Sequence, residues 1–220
     1  MKLAKPCLDL GLGTNQRDEQ LSFWQNDVGL SYDHMGKLGG GMQQHRHHLH
    51  GSILKVNHAR DPLAPTAPSG FRRLIIAQDG ITAPRDLADP DGNAVRLVPS
   101  DHDGITDIAI ELAVNDINAS RRFYVEAMGF ADLKCGTTRL ILTKGTVEPS
   151  PDWRAHGFRY ITVQVFDAVA AHQAVLARGG TEAAPPRELG DVVRYSFVRD
   201  PDGNFIEISE RTTLTGRALA

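Results

Sequence analysis

Cysteine is scarce in this chain, with two residues in 220. Cys7 and Cys135 do not have the short spacing of zinc-binding cysteine pairs. They are also too few for the disulfide framework of a small secreted domain. The simplest interpretation is therefore two reduced thiols in a cytoplasmic protein.

Long apolar runs and an excess of one charge are also lacking. No stretch approaches the roughly 18 consecutive apolar residues of a membrane span, and the first residues lack the apolar run of a signal peptide. The net charge is -3, which gives no bulk electrostatic reason for a nucleic-acid or membrane partner. We therefore expect a cytoplasmic protein that binds neither nucleic acid nor membrane.

The chain does contain an internal repeat. The sequence Asp-Pro-Asp-Gly-Asn occurs at 89–93 and again at 200–204. Proline fixes φ at the first corner of a tight turn and glycine accepts a positive φ, so each copy predicts a turn that begins a strand. Two further motifs keep the same order, an aromatic pair at 23–24 and 123–124 and Gly-Phe-Arg at 70–72 and 157–159. Matches in one order indicate a tandem duplication.

The length and the repeat together favour two domains of about 100 residues each. We place them at 1–100 and 104–212, on either side of a polar linker. Hydrophobic periodicity predicts two modules in each half: a βαβββ unit followed by a shorter unit in the first half, and two βαβββ units in the second. The interval from the Gly-Phe motif to the Asp-Pro turn is 43 residues in the second half and only 19 in the first. We therefore expect the second module of the first half to lack its helix.

This organisation resembles the vicinal oxygen chelate superfamily, which includes glyoxalase I, bleomycin-resistance proteins and extradiol dioxygenases. The resemblance depends on the paired βαβββ units, the repeated turn and the strand at 205–208, which carries Glu207. It implies an α+β fold whose tandem modules form two cupped mixed sheets, with a truncated first domain. It also implies a divalent metal (Fe, Mn or Zn), held by His and Glu, that binds adjacent oxygens of a substrate.

In the second half, the resemblance carries the metal-ligand positions over unevenly. The carboxylate position falls on Glu207, but the two histidine positions fall on Ala109 and Tyr160. Glu111 shares a strand face with Ala109 and could replace that ligand, and Gln164, on the face of Tyr160, could contact substrate. We expect Glu207 to be a ligand or base, Tyr160 to orient substrate or move a proton, and Glu111 to be an auxiliary carboxylate.

In the first half, the same positions become Asp9, Lys55, Arg73 and Arg96. Two arginines and a lysine do not make an ordinary metal site. If these side chains face one concavity, the site is cationic and suits a carboxylate or phosphate ligand. The alternative is that they are solvated charges on an outward face.

Histidine is concentrated in one segment, with five of the nine residues between positions 45 and 58. His45 and His47 share one face of a strand. These imidazoles, or His58 on the following strand, could supply the metal ligand or general base that the standard positions lack, with Glu207 as the carboxylate. The alternative is a polar strand pair that faces solvent.

Two functions fit these observations. The first is a vicinal oxygen chelate-type enzyme that isomerises, splits or oxygenates a small oxygenated metabolite with the help of a metal. The second is a metal-free protein of the bleomycin-resistance type that sequesters a small aromatic or anionic compound, and the loss of both expected histidines supports it. Because this superfamily often pairs cups across a dimer, we expect either a homodimer or an internal pairing of the two domains.

Overall fold

The computed structural model describes residues 1–219 and, within them, places fourteen strands and four helices. The strands are β1 (Leu3–Thr14), β2 (Tyr32–Gly39), β3 (Met42–Leu49), β4 (Ser52–Ala59), β5 (Phe71–Gln78), β6 (Arg85–Ala88), β7 (Ala94–Pro99), β8 (Ile108–Val114), β9 (Lys134–Cys135), β10 (Thr138–Lys144), β11 (Gly157–Val165), β12 (Thr181–Leu189), β13 (Val193–Arg199) and β14 (Phe205–Arg211). The helices are α1 (Arg17–Ser22), α2 (Ile117–Arg122), α3 (Ala168–Ala177) and α4 (Thr212–Thr215). Helices α1 and α2 each continue as one π-helical segment, Phe23–Asp27 and Phe123–Ala127.

The strands form two mixed sheets. The eight-stranded sheet has the order β12-β13-β14-β11-β1-β4-β3-β2, and the six-stranded sheet has the order β6-β7-β5-β8-β10-β9. The predicted α+β fold with two mixed sheets is confirmed. Strand β5 leads to β6 with no helix between them, which is the expected truncation of the first half.

Each sheet combines strands from both halves of the chain. Strand β1 pairs antiparallel with β11 in the larger sheet, and β5 pairs antiparallel with β8 in the smaller one. The predicted division between 1–100 and 104–212 falls in the connection from β7 to β8, and both of these strands belong to the six-stranded sheet. The two segments therefore describe the repeat in the sequence, whereas each sheet is built from one module of each half.

The repeated Asp-Pro turns fasten helices to strands. In the second copy, Asp200 accepts the backbone N–H of Asn204 at 2.9 Å and the Tyr124 hydroxyl at 2.9 Å. In the first copy, Asp89 accepts the Gln20 side-chain amide at 2.9 Å. Both aspartates are buried, so these hydrogen bonds are shielded from water. Each turn thus holds the first helix of its own half against the strand that follows it.

The glycine of the Gly-Phe motif allows the two halves to approach each other closely. The backbone N–H of Gly70 donates to the Asn204 side-chain oxygen at 2.6 Å. A Cβ on Gly70 would lie 2.7 Å from the Asn204 side chain and 2.8 Å from the Ala113 carbonyl oxygen. Any larger residue would therefore push the first-half strand away from the second-half turn.

One continuous hydrophobic core lies beneath the sheets. Fully buried members come from both halves and include Leu10, Trp24, Ile110, Tyr124 and Ile206. Among the described residues, no helix is long and apolar enough to cross a membrane.

Replacement of Gly70 by alanine should destabilise the fold. Overpacking a close contact costs about 1–3 kcal/mol, and urea denaturation would measure the loss. The matched control is Gly36→Ala, because a Cβ there would meet no atom within 4 Å. Equal stability of the two variants would show that the contact between Gly70 and Asn204 does not constrain the fold.

Candidate functional site

The four central strands of the eight-stranded sheet place polar side chains on one face. Asp9 of β1 lies opposite Thr162 of β11, and Thr162 lies beside Glu207 of β14. Lys55 projects from β4, the neighbour of β1 on the other side. The residues that alternate with these four lie in the hydrophobic core. We call this polar face the cup, because strands from both ends of the sheet line one cavity above it.

A buried ion pair forms the floor of the cup. Lys55 Nζ donates to Glu207 Oε2 at 2.6 Å and to Thr162 Oγ1 at 2.6 Å. The Lys55 side chain is 2% exposed and that of Glu207 is 14% exposed. Burial favours the neutral form of Glu207, but Lys55 and Thr162 outweigh it and hold its pKa below the ordinary value. Burial lowers the pKa of Lys55, against the attraction of Glu207 and Asp9.

Asp9 lies deeper in the same face and has three partners in the protein. It accepts the backbone N–H of Ile53 at 2.9 Å and the side-chain amide of Gln164 at 3.0 Å, and it forms an ion pair with Lys5. Burial would raise the pKa of Asp9, but Lys5 and Lys55 lower it. Asp9 and Gln164 therefore organise the cup from behind the ion pair.

Tyr160 is oriented by a directional chain of amides. Asn57 Nδ2 donates to the Tyr160 hydroxyl at 3.1 Å, and Gln44 Nε2 donates to Asn57 Oδ1 at 3.0 Å. Arg46 donates in turn to Gln44 Oε1 at 3.1 Å, which fixes the direction of the chain. Because the hydroxyl oxygen accepts, its own proton is available to a group in the cavity. Burial raises the pKa of Tyr160, so it stays protonated.

Gly11 makes room for the Tyr160 ring. The two residues are direct neighbours across the β1–β11 pair. A Cβ on Gly11 would overlap the ring atoms of Tyr160. The glycine therefore lets the aromatic ring lie against the sheet at this point.

A cavity of about 240 Å³ lies above the ion pair. One wall is aromatic. Trp153 stacks on Phe197 with ring centroids 5.7 Å apart, and Tyr160 meets Phe197 edge-on at 5.8 Å. Tyr195 adds a fourth ring, at 6.1 Å from Phe197.

The charged residues that line the cavity are mostly cations. They are Lys55, Arg154, Arg187 and Arg211, against the single carboxylate of Glu207. Arg211 Nε is buried and has no hydrogen-bond partner among residues 1–219. After the Lys55–Glu207 pair is set aside, the cavity retains an excess of positive charge.

The structure separates several residues that the sequence had grouped. Glu111 lies on β8 in the six-stranded sheet and pairs with Arg73 at 3.5 Å, so it cannot assist Tyr160 and Glu207 in the cup. Arg96 pairs with Asp86 at 2.6 Å in the same sheet. Arg73 and Arg96 therefore do not join Asp9 and Lys55 in one cationic site. The reason is that each of the two sheets takes its strands from both halves of the chain.

On the six-stranded sheet, apolar side chains fill the face that carries Arg73, Arg96 and Glu111. They form a small hydrophobic cluster that includes Ile75, Ala77, Val98 and Ala109. This face therefore resembles a packed core more than a ligand site.

His45, His47 and His58 lie on the opposite side of the larger sheet from Glu207. His45 is the direct neighbour of Val56, and His47 of Leu54, and both of these partners face the hydrophobic core. Lys55, between them, faces the cup, so the alternation of a strand puts the histidines on the other face. His58 also alternates with Asn57, which faces the cup. The prediction that His45, His47 or His58 completes a site with Glu207 is therefore wrong.

Several residues of the cup were not predicted from the sequence. Thr162, Asn57 and Gln44 hold its polar groups, and Trp153 and Arg211 line the cavity. Alternation along β11 and β14 could have indicated Thr162 and Arg211, which lie two and four residues from Tyr160 and Glu207. Trp153 lies in a loop, where periodicity gives no information.

Comparison with known proteins agrees with this architecture. Residues 108–208 match the family model described as Glyoxalase/Bleomycin resistance protein/Dioxygenase superfamily. Residues 108–208, slightly less than half of the chain, thus resemble the superfamily that the sequence predicted. No curated protein sequence matches the chain.

Among solved structures, glyoxalase I from Zea mays has a TM-score of 0.76 at 19% identity, over 94% of this chain and 93% of that chain. A mutant of glyoxalase I from Zea mays has a TM-score of 0.75 at 15% identity, over 98% and 97%. A putative dioxygenase from Bacillus subtilis has a TM-score of 0.62 at 12% identity, over 96% and 86%. At these identities the likeness shows the fold alone.

The residues of the cup do not fit the divalent metal that the superfamily implies. The four positions are occupied by Asp9, Lys55, Tyr160 and Glu207. A lysine ammonium has no lone pair to offer a metal, and this one lies 2.6 Å from the Glu207 carboxylate. Among the described residues, no group of three or more His, Cys, Asp or Glu side chains is arranged to hold a metal ion.

Loss of the Lys55 ammonium should destabilise the protein strongly. In Lys55→Met, Glu207 becomes an enclosed carboxylate without a counter-ion, which should cost about 3 kcal/mol. Adding Glu207→Gln should recover part of that loss, because the uncompensated charge disappears. Urea denaturation at pH 7 of the single and double variants measures both effects. A Lys55→Met variant as stable as the parent would contradict the ion pair.

His47 should make stability depend on pH. The His47 side chain is fully buried, and neither ring nitrogen has a hydrogen-bond partner in the part of the chain that the structure describes. Burial lowers the pKa of His47 to about 4. Between pH 6.5 and 4, the unfolded chain binds this proton and the folded chain does not. The free energy of unfolding should therefore fall on acidification, by up to about 1.4 kcal/mol per pH unit from this group.

The substitution His47→Phe should reduce that slope. The control is His34→Phe, because His34 is exposed on the edge strand β2. Denaturation curves across pH 4–7 compare the three proteins. An unchanged slope in His47→Phe would mean that His47 is protonated in the folded state.

Proposed function

We propose that the protein binds a small anionic molecule with an aromatic ring in the cup of the eight-stranded sheet, without a metal. The observation that carries this proposal is the cavity itself, with a Lys55–Glu207 pair at its floor, an aromatic wall and an excess of guanidinium groups. This is the metal-free binding function among the two that the sequence suggested.

The aromatic wall supports a planar apolar group in the ligand. Trp153, Tyr160, Tyr195 and Phe197 line one cavity and contact each other edge-on or stacked. Aromatic rings pair with further rings in the same geometries, at a gain of about 0.5–1.5 kcal/mol beyond burial. A volume of about 240 Å³ is below the roughly 300–1,000 Å³ of drug-sized sites. The volume therefore favours a ligand with one ring.

The guanidinium groups support a carboxylate or a similar anion. Arg187 is exposed at the mouth, over the Tyr195 ring at 4.9 Å. Arg211 is only partly exposed and its buried Nε lacks a partner. A buried unpaired donor costs free energy, and a ligand oxygen would satisfy it. Arg211 is therefore the group that we expect to hold the anion.

The state of Glu207 favours binding over metal-independent proton transfer. An effective general base has a pKa near the working pH. The pKa of Glu207 is below its ordinary value, and its Oε2 already accepts two hydrogen bonds. Tyr160, whose pKa is raised, is suited to donate a hydrogen bond to the ligand. The enzyme alternative draws its support from the fold shared with glyoxalase I and a putative dioxygenase.

Benzoate is a direct probe of this proposal, with two matched controls. Benzamide keeps the ring and removes the charge, and acetate keeps the charge and removes the ring. Trp153 lines the cavity, so its fluorescence should report occupancy, and Trp153→Phe should abolish the signal while the buried Trp24 remains. We expect benzoate to bind more tightly than either control.

The variant Arg211→Met should weaken benzoate binding by about 10- to 100-fold, the value of one charge-assisted hydrogen bond of about 1.5–3 kcal/mol. The matched control is Arg139→Met, on β10 of the other sheet, which should bind as the parent does. Equal affinity for benzoate and benzamide would reject the anionic ligand. An Arg211→Met variant with parental affinity would reject Arg211 as its anchor.

A further inference from the structure

We propose that the Lys55 ammonium replaces the divalent cation at the centre of the cup and presents the positive charge to the ligand. The inference rests on the proposed ligand site, because the ammonium is useful there only if a ligand reaches it. It assigns to Lys55 a specificity-determining role.

The position of Lys55 is the first support. Strands β1, β4, β11 and β14 lie side by side in the order β14-β11-β1-β4. The Lys55 side chain extends from β4 across β1 and β11 to Glu207 on β14, at 2.6 Å. It therefore ends beside the carboxylate that would otherwise bind a cation.

The hydrogen-bonding capacity of the ammonium is the second support. Lysine has three N–H donors and no acceptor. Within the described residues, two donors are used, by Glu207 and Thr162. Lys55 also lines the cavity. The third donor is therefore available to an anionic oxygen above the floor.

Charge balance is the third support. Lys55 is buried and has Glu207 in contact, with the buried carboxylate of Asp9 also acting on it. Asp9 has Lys5 as a second counter-ion, whereas Glu207 has only Lys55 as an ion-pair partner among the described residues. A cation next to Glu207 is thus required by burial. Lysine supplies that cation from within the chain.

The six-stranded sheet offers a contrast that supports the same conclusion. There, Arg73 pairs with Glu111 and a hydrophobic cluster fills the face. Lys55, by contrast, lines a cavity of about 240 Å³.

The test is to remove the ammonium and ask whether a metal ion takes its place. Lys55→Glu puts a third carboxylate near Asp9 and Glu207, an oxygen-rich set that suits Mn²⁺. The probe is Mn²⁺ alone, measured by loss of the free-ion electron paramagnetic resonance signal and by the melting temperature. The parent protein should bind no Mn²⁺. The variant should bind one ion and, at 100 times its Kd, melt about 5–10 °C higher than without metal.

Two controls keep the test decisive. Lys55→Glu with Glu207→Gln should lose the Mn²⁺ response, because one carboxylate is removed. If Lys55→Glu does not fold even with Mn²⁺, Lys55→His supplies a neutral ligand at the same position and should respond to Mn²⁺ or Zn²⁺. Stoichiometric metal in the parent protein, or folded variants that bind no metal, would overturn the proposal.

The outcome separates this inference from the proposed function. Benzoate binding by the parent protein is measured without metal or substitution at Lys55. If benzoate fails to bind and Lys55→Glu gains Mn²⁺, the ligand class is wrong and the role of Lys55 at the cation position stands. If benzoate binds and no variant gains metal, the ligand site stands and the substitution of lysine for a cation is wrong.

Discussion

The antiparallel pairing of β1 with β11 is the contact on which the candidate site depends. It joins the first module of the chain to the last, because β4 extends the sheet on one side and β14 on the other. Lys55 and Glu207 are 152 residues apart in the sequence and are brought into contact by this pairing alone. The cup is thereby completed within one chain, by strands from both halves.

Much of the local structure was predictable, and the long-range pairing was not. Asp116 and Asp167 cap α2 and α3 through hydrogen bonds to backbone N–H groups, and aspartate is a residue type that favours this position. No comparable local preference of single residues determines which strands pair. The modules of the two halves share one hydrophobic alternation, so pairing within a half and pairing across halves bury the core equally well.

Charge provides a physical reason for the pairing that occurs. Three of the four ligand positions in the first half are cationic, and pairing within that half would gather Lys55, Arg73 and Arg96 on one face. Pairing across halves gives Lys55 the carboxylate of Glu207 and gives Arg73 that of Glu111. Arg73 and Glu111 lie on neighbouring strands, where opposite charges stabilise a sheet and like charges destabilise it. These complementary charges are present in the sequence. They would have predicted the pairing only if strands of one half had been compared with strands of the other.

The proposed replacement of a metal by lysine changes what the cup can recognise. A divalent ion with open positions binds two adjacent oxygens, whereas one ammonium with a single spare N–H binds one. A second polar group of the ligand must then be met elsewhere, and the unpartnered Nε of Arg211 is beside the same cavity. Between these two cations, the aromatic wall of Trp153 and Phe197 sets the plane of the ligand. Under the proposed function, recognition in this cup follows from fixed donors on separate strands, whose spacing the sheet itself determines.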